Sequence, residues 1–333
     1  MKILFDWRLA RVVDDEGHVI DEIEWDGHMG PSSIAKRLHM IQNGRKLPEI
    51  ITLSERFPDA DVDPMGAMAD PDWPDLEGLE ELFQSATERL AKMGVADSSG
   101  DIDRRLDMLV SSALELRSSW TTSEARCIEW AGLFLTEVDL DRQRLEIPQA
   151  VANASEISEA AEILGTSSPL HYPSQSEWYS MRSQASFVVE TSEMLHQQET
   201  TIREIANSHV TSLSALLGPL SAAKLVVLAG GRERLARMPS GSLQVLGAHA
   251  AMSAHRRGAP PPKHGAVLFS MPQVSRSPRW VRGKIARYLA GKASIAVRVD
   301  HFGGDPWGDE EVDLINREIS AIKDKFPKPP KRS

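Results

Sequence analysis

The chain has 333 residues, 41% of them hydrophobic, which is enough for two or three folded domains. Its formal net charge is −10, and its single cysteine, Cys127, excludes an intramolecular disulfide. No apolar run approaches the ~20 residues of a membrane helix, and the N-terminal stretch lacks the apolar core of a signal peptide. We therefore expect a soluble, cytoplasmic protein with no membrane partner.

The first 55 residues predict a small α/β unit. Two strand-like runs, residues 2–13 and 18–25, flank the turn sequence "DDEG", which is typical of a hairpin. The segment "PSSIAKRLHMIQNG" has apolar residues at helical spacing and predicts a helix ending near Gly44. Residues 56–78 contain four prolines and many aspartates, which predicts an exposed connection.

From about residue 101 the sequence predicts a long polar helix with one narrow apolar stripe. Pro148 is expected to interrupt or kink that helix. The spacing alternates between three and four residues, as in a coiled coil, at Leu106, Leu109, Ala113, Leu116 and Trp120.

A second long helix follows the turn-rich sequence "GTSSPLHYPSQ". Ser174 and Glu177 form a capping-box pattern at its start. The returning stripe is predicted at Phe187, Thr191, Met194, Ile202 and Ile205. Together the two helices predict an antiparallel coiled-coil hairpin; two ordinary helices of a bundle are the alternative.

Catalytic motifs do not emerge from the sequence. "LVVLAGGRERL" resembles a strand entering a glycine-rich turn but lacks the spacing of a phosphate-binding loop. His249 and His255 are six residues apart, a poor spacing for a shared metal, and Cys127 falls on the apolar stripe. We expect no enzyme activity, no cofactor and no metal site.

Positive charge is concentrated in residues 221–300. This segment has fourteen Lys or Arg and two acids, a net charge of +12 that leaves −22 for the remainder of the chain. Such an excess indicates a polyanion site, with an ordinary solvated basic surface as the alternative. Two proline-containing loops, "PPPKHG" and "SRSPRW", carry Lys263, Arg276 and Arg279, and suit recognition of a folded RNA by shape.

The most basic stretch, "RGKIARYLAGKASIAVRVD", spans residues 282–300 and predicts a helix. Ile285, Leu289, Ala293 and Ala296 recur at helical spacing and are expected to face inward. The flanking cations are then available to phosphates.

Residues 205–304 resemble the Nop domain found in archaeal box C/D ribonucleoproteins, in nucleolar Nop proteins and in a spliceosomal relative. The matching stretches are "SLSALLGPLSAAKLVVLAGG", "LARMPSGSLQVLGA", "PPKHG" and "RGKIARYLAGKASIAVRVD". The N-terminal strands and helix are similar to the first domain of that family, and "LHYPS" is similar to the tip of its coiled coil.

The resemblance implies a mostly α fold with an all-helical Nop domain, in which "LVVLAGG" is helical rather than a strand. It implies four parts, namely an α/β fibrillarin-binding domain at 1–75, a linker and coiled-coil hairpin at 76–204, the Nop domain at 205–320 and a basic disordered tail at 321–333.

The function that the resemblance implies is a non-catalytic scaffold. It would bridge a box C/D guide RNA, already held by a kink-turn-binding protein of ribosomal type, to fibrillarin, the S-adenosylmethionine-dependent 2′-O-methyltransferase. Self-association through the coiled coil is implied, with the stripe from Leu106 to Trp120 as its dimerisation face. The alternative is an RNA-processing assembly factor of spliceosomal type, or a divergent paralogue, that recruits no methyltransferase.

RNA contacts are implied residue by residue, and no fibrillarin-contacting residue is assigned. The predicted RNA-binding residues are Arg237, Gln244, His249, Lys263, Arg279, Arg282, Lys284 and Arg287. One departure from the family pattern follows "QVLGA": a charged pair is replaced by His249 and Ala250, and an aromatic residue by Ser253. Beside a phosphate, His249 would add a pH-dependent charge.

Overall fold

The computed structural model describes residues 1–329, which form two compact units with the division between Asp101 and Ile102. The domain limits that the resemblance implies, after residues 75 and 204, stay predictions. Within the described residues, no single helix is long and apolar enough to cross a membrane. One pair of helices, Thr211–Leu217 and Pro219–Ala229, meets both criteria together but is bent by 119°.

The first unit is built on a four-stranded mixed sheet. Its strands are β1 (Lys2–Phe5), β2 (Leu9–Val13), β3 (Val19–Glu24) and β4 (Asp61–Asp63). The order is β3-β2-β1-β4, in which β1 pairs with β4 in parallel and the other pairs are antiparallel. The "DDEG" hairpin is confirmed, with Gly17 at φ 91°. The first predicted strand is two strands, because Asp6 accepts the Arg8 N–H at 2.6 Å and turns the chain.

Four helices complete this unit: α1 (Pro31–Gln42), α2 (Pro48–Arg56), α3 (Gly66–Ala69) and α4 (Glu80–Ser98). Ile3, Val12 and Ile50 form part of a core between the sheet and α2. The description of residues 56–78 as an exposed connection needs correction. This segment contains β4 and α3, and the Arg8 guanidinium binds the Pro74 and Asp75 carbonyl oxygens at 2.6 Å each.

A second core in this unit joins α4 to the N-terminal residues. Trp7 stacks on Phe83 with ring centroids 6.1 Å apart, and Ala86 and Ile34 are fully buried beside it. Because α4 supplies part of this core, the compact unit extends beyond residue 75.

The second unit begins with a helical hairpin, α5 (Ile102–Gly132) and α8 (Gln175–His209), which run antiparallel and pack along their length. The capping box is confirmed: Ser174 N–H donates to Glu177 Oε2 at 2.7 Å, and Glu177 N–H donates to Ser174 Oγ at 3.3 Å. Leu106 and Ala113 are buried inside the chain, with Leu109 and Leu116 half-buried against the same core. Contacts to a second copy would therefore use other faces, and self-association stays a prediction.

The predicted stripe on the second helix is partly wrong. Thr191 and Ile202 are buried as expected, but Phe187 and Met194 are 43% and 44% exposed. Their neighbours Val188 and Leu195, one position further on, take the inward places. The apolar residues of α8 occupy two adjacent stripes, and spacing alone does not say which one is buried.

Pro148 does not kink the first long helix. That helix ends at Gly132, and Pro148 lies in the first turn of a separate helix, where the missing N–H costs little. The tip of the hairpin contains two short helices, α6 (Glu146–Asn153) and α7 (Ile157–Ile163). Gly132 is closely approached by the Leu140 side chain, so a larger residue there would displace that loop.

A bundle of nine helices follows in the described part of the chain. They are α9 (Thr211–Leu217), α10 (Pro219–Ala229), α11 (Arg232–Arg237), α12 (Ser240–Gln244), α13 (His249–Arg256), α14 (Ala266–Ser270), α15 (Pro272–Ser275), α16 (Arg282–Phe302) and α17 (Asp309–Lys325). "LVVLAGG" is thus helical, as the resemblance implied. The tail predicted from residue 321 is helical through Lys325, and residues 330–333 lie outside the described residues.

Candidate nucleic-acid interface

The basic helix α16 lies at the centre of the bundle. Ile285, Leu289, Ala293 and Ala296 are fully buried, as the spacing predicted. Three of the short helices, α9, α11 and α12, pack against this side of α16. The opposite side of α16 carries three exposed cations.

Three cations share that exposed side of α16. At 100° per residue, Lys284, Arg287 and Arg298 fall within about 60° of one another and extend over roughly 21 Å. All three are exposed, and among the described residues Arg287 has no hydrogen bond or ion pair. The Lys284 ammonium lies 4.1 Å from the centroid of the Phe326 ring. A row of this length is suited to several phosphates of a nucleic-acid backbone rather than to a single anion.

Arg282 points away from this row. Its guanidinium donates to the carbonyl oxygens of Ser275 and Ser277, both at 2.8 Å, and lies 5.6 Å from the Phe269 ring. It therefore holds the loop before α16 in place. The helical phase already separates it from Arg287, since five residues correspond to a rotation of about 140°.

Gln244 also has a structural position. Its side chain is buried and its Nε2 donates to the Lys263 carbonyl at 2.6 Å, while its backbone carbonyl accepts the Gly265 N–H at 2.7 Å. Gly265 is required here, because a Cβ would lie 1.9 Å from the Leu246 carbonyl oxygen. Gln244 thereby fixes the "PPKHG" loop that presents Lys263.

The Lys263 loop reaches the first turn of α16. A Cβ at Gly283 would lie 3.6 Å from the side chain of Lys263, an exposed residue. His264 stacks on Phe269 with centroids 4.7 Å apart. Burial lowers the pKa of His264, and the charges of Arg282 and Lys263 act in the same direction. The loop thus adds a cation and a neutral aromatic ring, which suits stacking on an unpaired base.

The other predicted contacts lie at the edges of this surface. Arg279 is exposed in the turn before α16, and His249 is exposed at the start of α13. Arg237 is exposed at the end of α11, where Glu233 pairs with it at 2.7 Å. Arg298 was missing from the predicted contacts; its Nε donates to the Ala236 carbonyl at 3.0 Å, which joins α11 to α16. Arg298 follows Arg287 by eleven residues, which is about three helical turns, so both lie on the same side of the helix. This spacing could have predicted Arg298 as a contact from the sequence.

The bundle and this charged face together define a helical protein with an extended surface for a polyanion. The chain belongs to the Nop family: residues 125–321 match the family described as "Nop: snoRNA binding domain, fibrillarin". That region includes α16, the Lys263 loop and most of the hairpin.

Several known proteins are similar to parts of this chain. An uncharacterized NOP5 family protein of Methanocaldococcus jannaschii is 43% identical over 129 residues, which are 38% of this chain and 31% of that protein. Human nucleolar protein 56 is 36% identical over 144 residues, 42% of this chain and 24% of that protein. Nucleolar protein 58 of Aspergillus terreus is 31% identical over 197 residues, 55% of this chain and 32% of that protein.

These alignments span between about a quarter and a third of the length of each relative. Among solved structures, a chain of the crystal structure of a fibrillarin/Nop5p complex is similar at 21% identity with a TM-score of 0.42. That similarity covers 91% of this chain and 96% of that chain.

Proposed function

We propose that this protein is the non-catalytic scaffold of a box C/D guide ribonucleoprotein. The observation that carries the proposal is the row of Lys284, Arg287 and Arg298, which lies inside the region that matches the Nop family. In this role the row binds the phosphates of a kink-turn RNA that a ribosomal-type protein already holds. The Lys263 loop adds contacts at one end of the row.

The N-terminal unit is the proposed site for the methyltransferase. The N-terminal strands and helix are similar to the first domain of the Nop proteins, and the description of the matching family includes fibrillarin. By this proposal, fibrillarin catalyses the 2′-O-methyl transfer, and this chain holds fibrillarin in position on the guide RNA complex. The hairpin is the proposed element for self-association, through faces other than the buried stripe.

The test is a gel shift with a box C/D RNA, with and without the kink-turn-binding protein. The wild-type chain is expected to bind the RNA when the kink-turn-binding protein is present. Arg287→Glu is expected to weaken binding and to reduce the salt slope by ~1, because one phosphate contact is lost. Arg142→Glu, the same change of charge in an exposed hairpin loop, is the control and is expected to bind like wild type.

If wild type does not shift the RNA with its partner present, the scaffold proposal is wrong. If Arg287→Glu and Arg142→Glu bind like wild type, the face of α16 is not the contact surface.

A divergent paralogue is the second candidate, and the sequence around His249 favours it. Helix α13 has no buried residue and carries His249 and Ala250 where the family pattern has a charged pair. In this reading the protein docks on the RNA but does not place the target strand for methylation. We expect the double change His249→Glu and Ala250→Lys to raise guided methylation in a reconstituted complex without changing the affinity of assembly. Full methylation by the unmodified protein, unaffected by the double change, would refute this candidate.

A further inference from the structure

Three helices of the second unit meet at Asp103. This residue lies in the first turn of α5, and its Oδ1 lies 2.7 Å from Nε2 of His209, the last residue of α8. Its Oδ2 accepts the N–H of Arg232, the first residue of α11, at 2.8 Å. The Arg232 guanidinium in turn donates to the His209 carbonyl at 2.9 Å. The two ends of the hairpin and the start of α11 are therefore joined in one network.

The backbone before α11 is shaped to admit this carboxylate. Gly230 and Gly231 have φ values of 81° and 122°, which side-chain-bearing residues rarely adopt. A Cβ on Gly231 would lie 2.9 Å from Asp103 Oδ2, a distance that real Cβ atoms do not show. The two glycines thus let Asp103 cap the first turn of α11 from another helix.

The network is largely shielded from water. The side chains of His209 and Asp103 are 9% and 23% exposed. Burial alone would raise the pKa of Asp103, but hydrogen bonds from His209 and the Arg232 N–H hold it below the ordinary value. Removing the carboxylate would leave the Arg232 N–H and the imidazole without a shielded acceptor.

Helix α11 is also held at its other end, by the hydrogen bond from Arg298 on α16 to the Ala236 carbonyl at 3.0 Å. It carries Arg234 between these two attachments and Arg237 directly after the second one, and both are exposed. The direction in which these cations point is thus set by the hairpin at one end and by the basic helix at the other.

We propose that Asp103 is a positioning residue that couples the helical hairpin to the cationic surface formed by α11 and α16. The coupling is mechanical: the carboxylate fixes the start of α11 against both hairpin helices, and this keeps Arg234 and Arg237 aligned with the row on α16. The consequence for RNA affinity rests on the proposed function; the position of α11 does not.

The chemistry of the pair gives a discriminating variant. A carboxylate accepts a hydrogen bond from His209 Nε2–H whether the imidazole is neutral or protonated. In Asp103→Asn the amide oxygen still accepts the Arg232 N–H, but the amide nitrogen binds His209 only where Nε2 has a lone pair, which protonation removes.

Among the hydrogen bonds that the structure describes, the imidazole binds Asp103 from α5, whereas Arg232 from α11 binds the His209 backbone carbonyl. Asp103→Asn is therefore expected to retain the contact with the Arg232 N–H and to weaken the contact with His209. Asp103→Ala is expected to lose both contacts.

The experiment measures the position of α11 without RNA. Spin labels are placed at Ser118 on α5 and at Arg234 on α11 in the full chain, and their distance distribution is recorded. Amide exchange at Arg232 is followed in parallel in the unlabelled chain. Wild type is expected to give one narrow distribution, and Asp103→Ala a broad one, with exchange faster by about tenfold once one shielded hydrogen bond is lost.

Asp107→Ala is the matched control, one turn further along the same helix, where the carboxylate contacts only Ser111 among the hydrogen-bonding partners that the structure describes. It is expected to leave both measurements unchanged. Far-ultraviolet circular dichroism checks that each variant retains its helices.

Unchanged distances and unchanged exchange in Asp103→Ala would overturn the proposal. RNA affinity is then measured with the kink-turn complex on the unlabelled chain, in which Arg234 and Arg237 keep their native side chains. A displaced α11 with undiminished RNA affinity would overturn the coupling. Absence of RNA binding by wild type would refute the scaffold function instead, and the distances alone would then decide whether Asp103 positions α11.

Discussion

Arg282 and Arg287 have different roles in the structure, although the sequence alone did not distinguish them. Both are cations of one helix, and both were predicted to contact RNA. The structure gives Arg282 two carbonyl acceptors in the preceding loop and leaves Arg287 exposed. Helical phase distinguishes the two sides of α16, but the loop carbonyls that bind Arg282 depend on tertiary structure and leave no sequence signal.

The first prediction concerns Arg282. Arg282→Met is expected to lower the free energy of unfolding by roughly 1.5–3 kcal/mol, because two carbonyl groups lose a charged donor. Urea titration followed by circular dichroism measures this change. Arg287→Met, which removes the same charge from the exposed side, is the control and is expected to stay within about 0.5 kcal/mol of wild type. Equal stability of the two variants would contradict the structural role of Arg282.

The second prediction concerns Glu233, one of two acids in the basic segment. It pairs with Arg237 at 2.7 Å, and both side chains are largely exposed. Glu233→Gln is expected to strengthen RNA binding by about two- to fivefold at low salt, because it removes a negative charge that repels phosphate.

Gel shifts at two salt concentrations measure the effect, which is expected to shrink as salt rises. Glu310→Gln, at an exposed acid on α17, is the control. A loss of affinity in Glu233→Gln would instead mean that the ion pair is needed to orient Arg237.

At the scale of elements, the sequence predicted the hairpin and its capping box but not which stripe of α8 is buried. The spacing of apolar residues permitted both Phe187 and Val188 as inward positions. The choice depends on the phase in which α5 meets α8, and on the further packing of α10 against both helices. That third helix comes later in the chain, so the local pattern of α8 contains no information about it.

The third prediction separates the two faces of the hairpin. Leu109→Asp with Leu116→Asp is expected to destabilise the fold by more than about 3 kcal/mol, because unpaired charges enter the core shared with α10. Phe187→Asp with Met194→Asp changes exposed positions and is expected to retain helicity. If the hairpin self-associates through that exposed face, this second pair of changes shifts light scattering toward the monomer.

An oligomer that survives the Phe187 and Met194 changes would place the contact on another face. Unchanged stability of the Leu109 and Leu116 variant would refute the intramolecular core.

At the scale of the whole molecule, the concentration of charge was the most informative sequence feature. The basic segment of residues 221–300 contains the exposed row of α16 and the Lys263 loop, and both lie within the region that matches the Nop family. Sequence did not show that α4 belongs with the N-terminal sheet. Its apolar residues resemble those of any amphipathic helix, and their partner, Trp7, is more than seventy residues away.

The fourth prediction concerns the N-terminal unit as an independent part. A fragment of residues 1–101 is expected to fold cooperatively and to bind fibrillarin without RNA, measured by calorimetry. A fragment of residues 1–75 lacks Phe83 and Ala86, which pack with Trp7, and is expected to be less stable. A folded 1–101 fragment that does not bind fibrillarin would favour the alternative in which no methyltransferase is recruited.

The outer strand β3 has a consequence for how the protein behaves at high concentration. It is an edge strand with Val19 and Ile20 about half exposed, and such edges invite pairing between molecules. The carboxylates of Asp21 and Glu22 lie along the same strand and are held there by ion pairs with Arg56 and Arg11. These ion pairs hold charged groups beside the unpaired backbone N–H and C=O groups of the edge strand. They thereby oppose aggregation by pairing of β3 strands from different molecules.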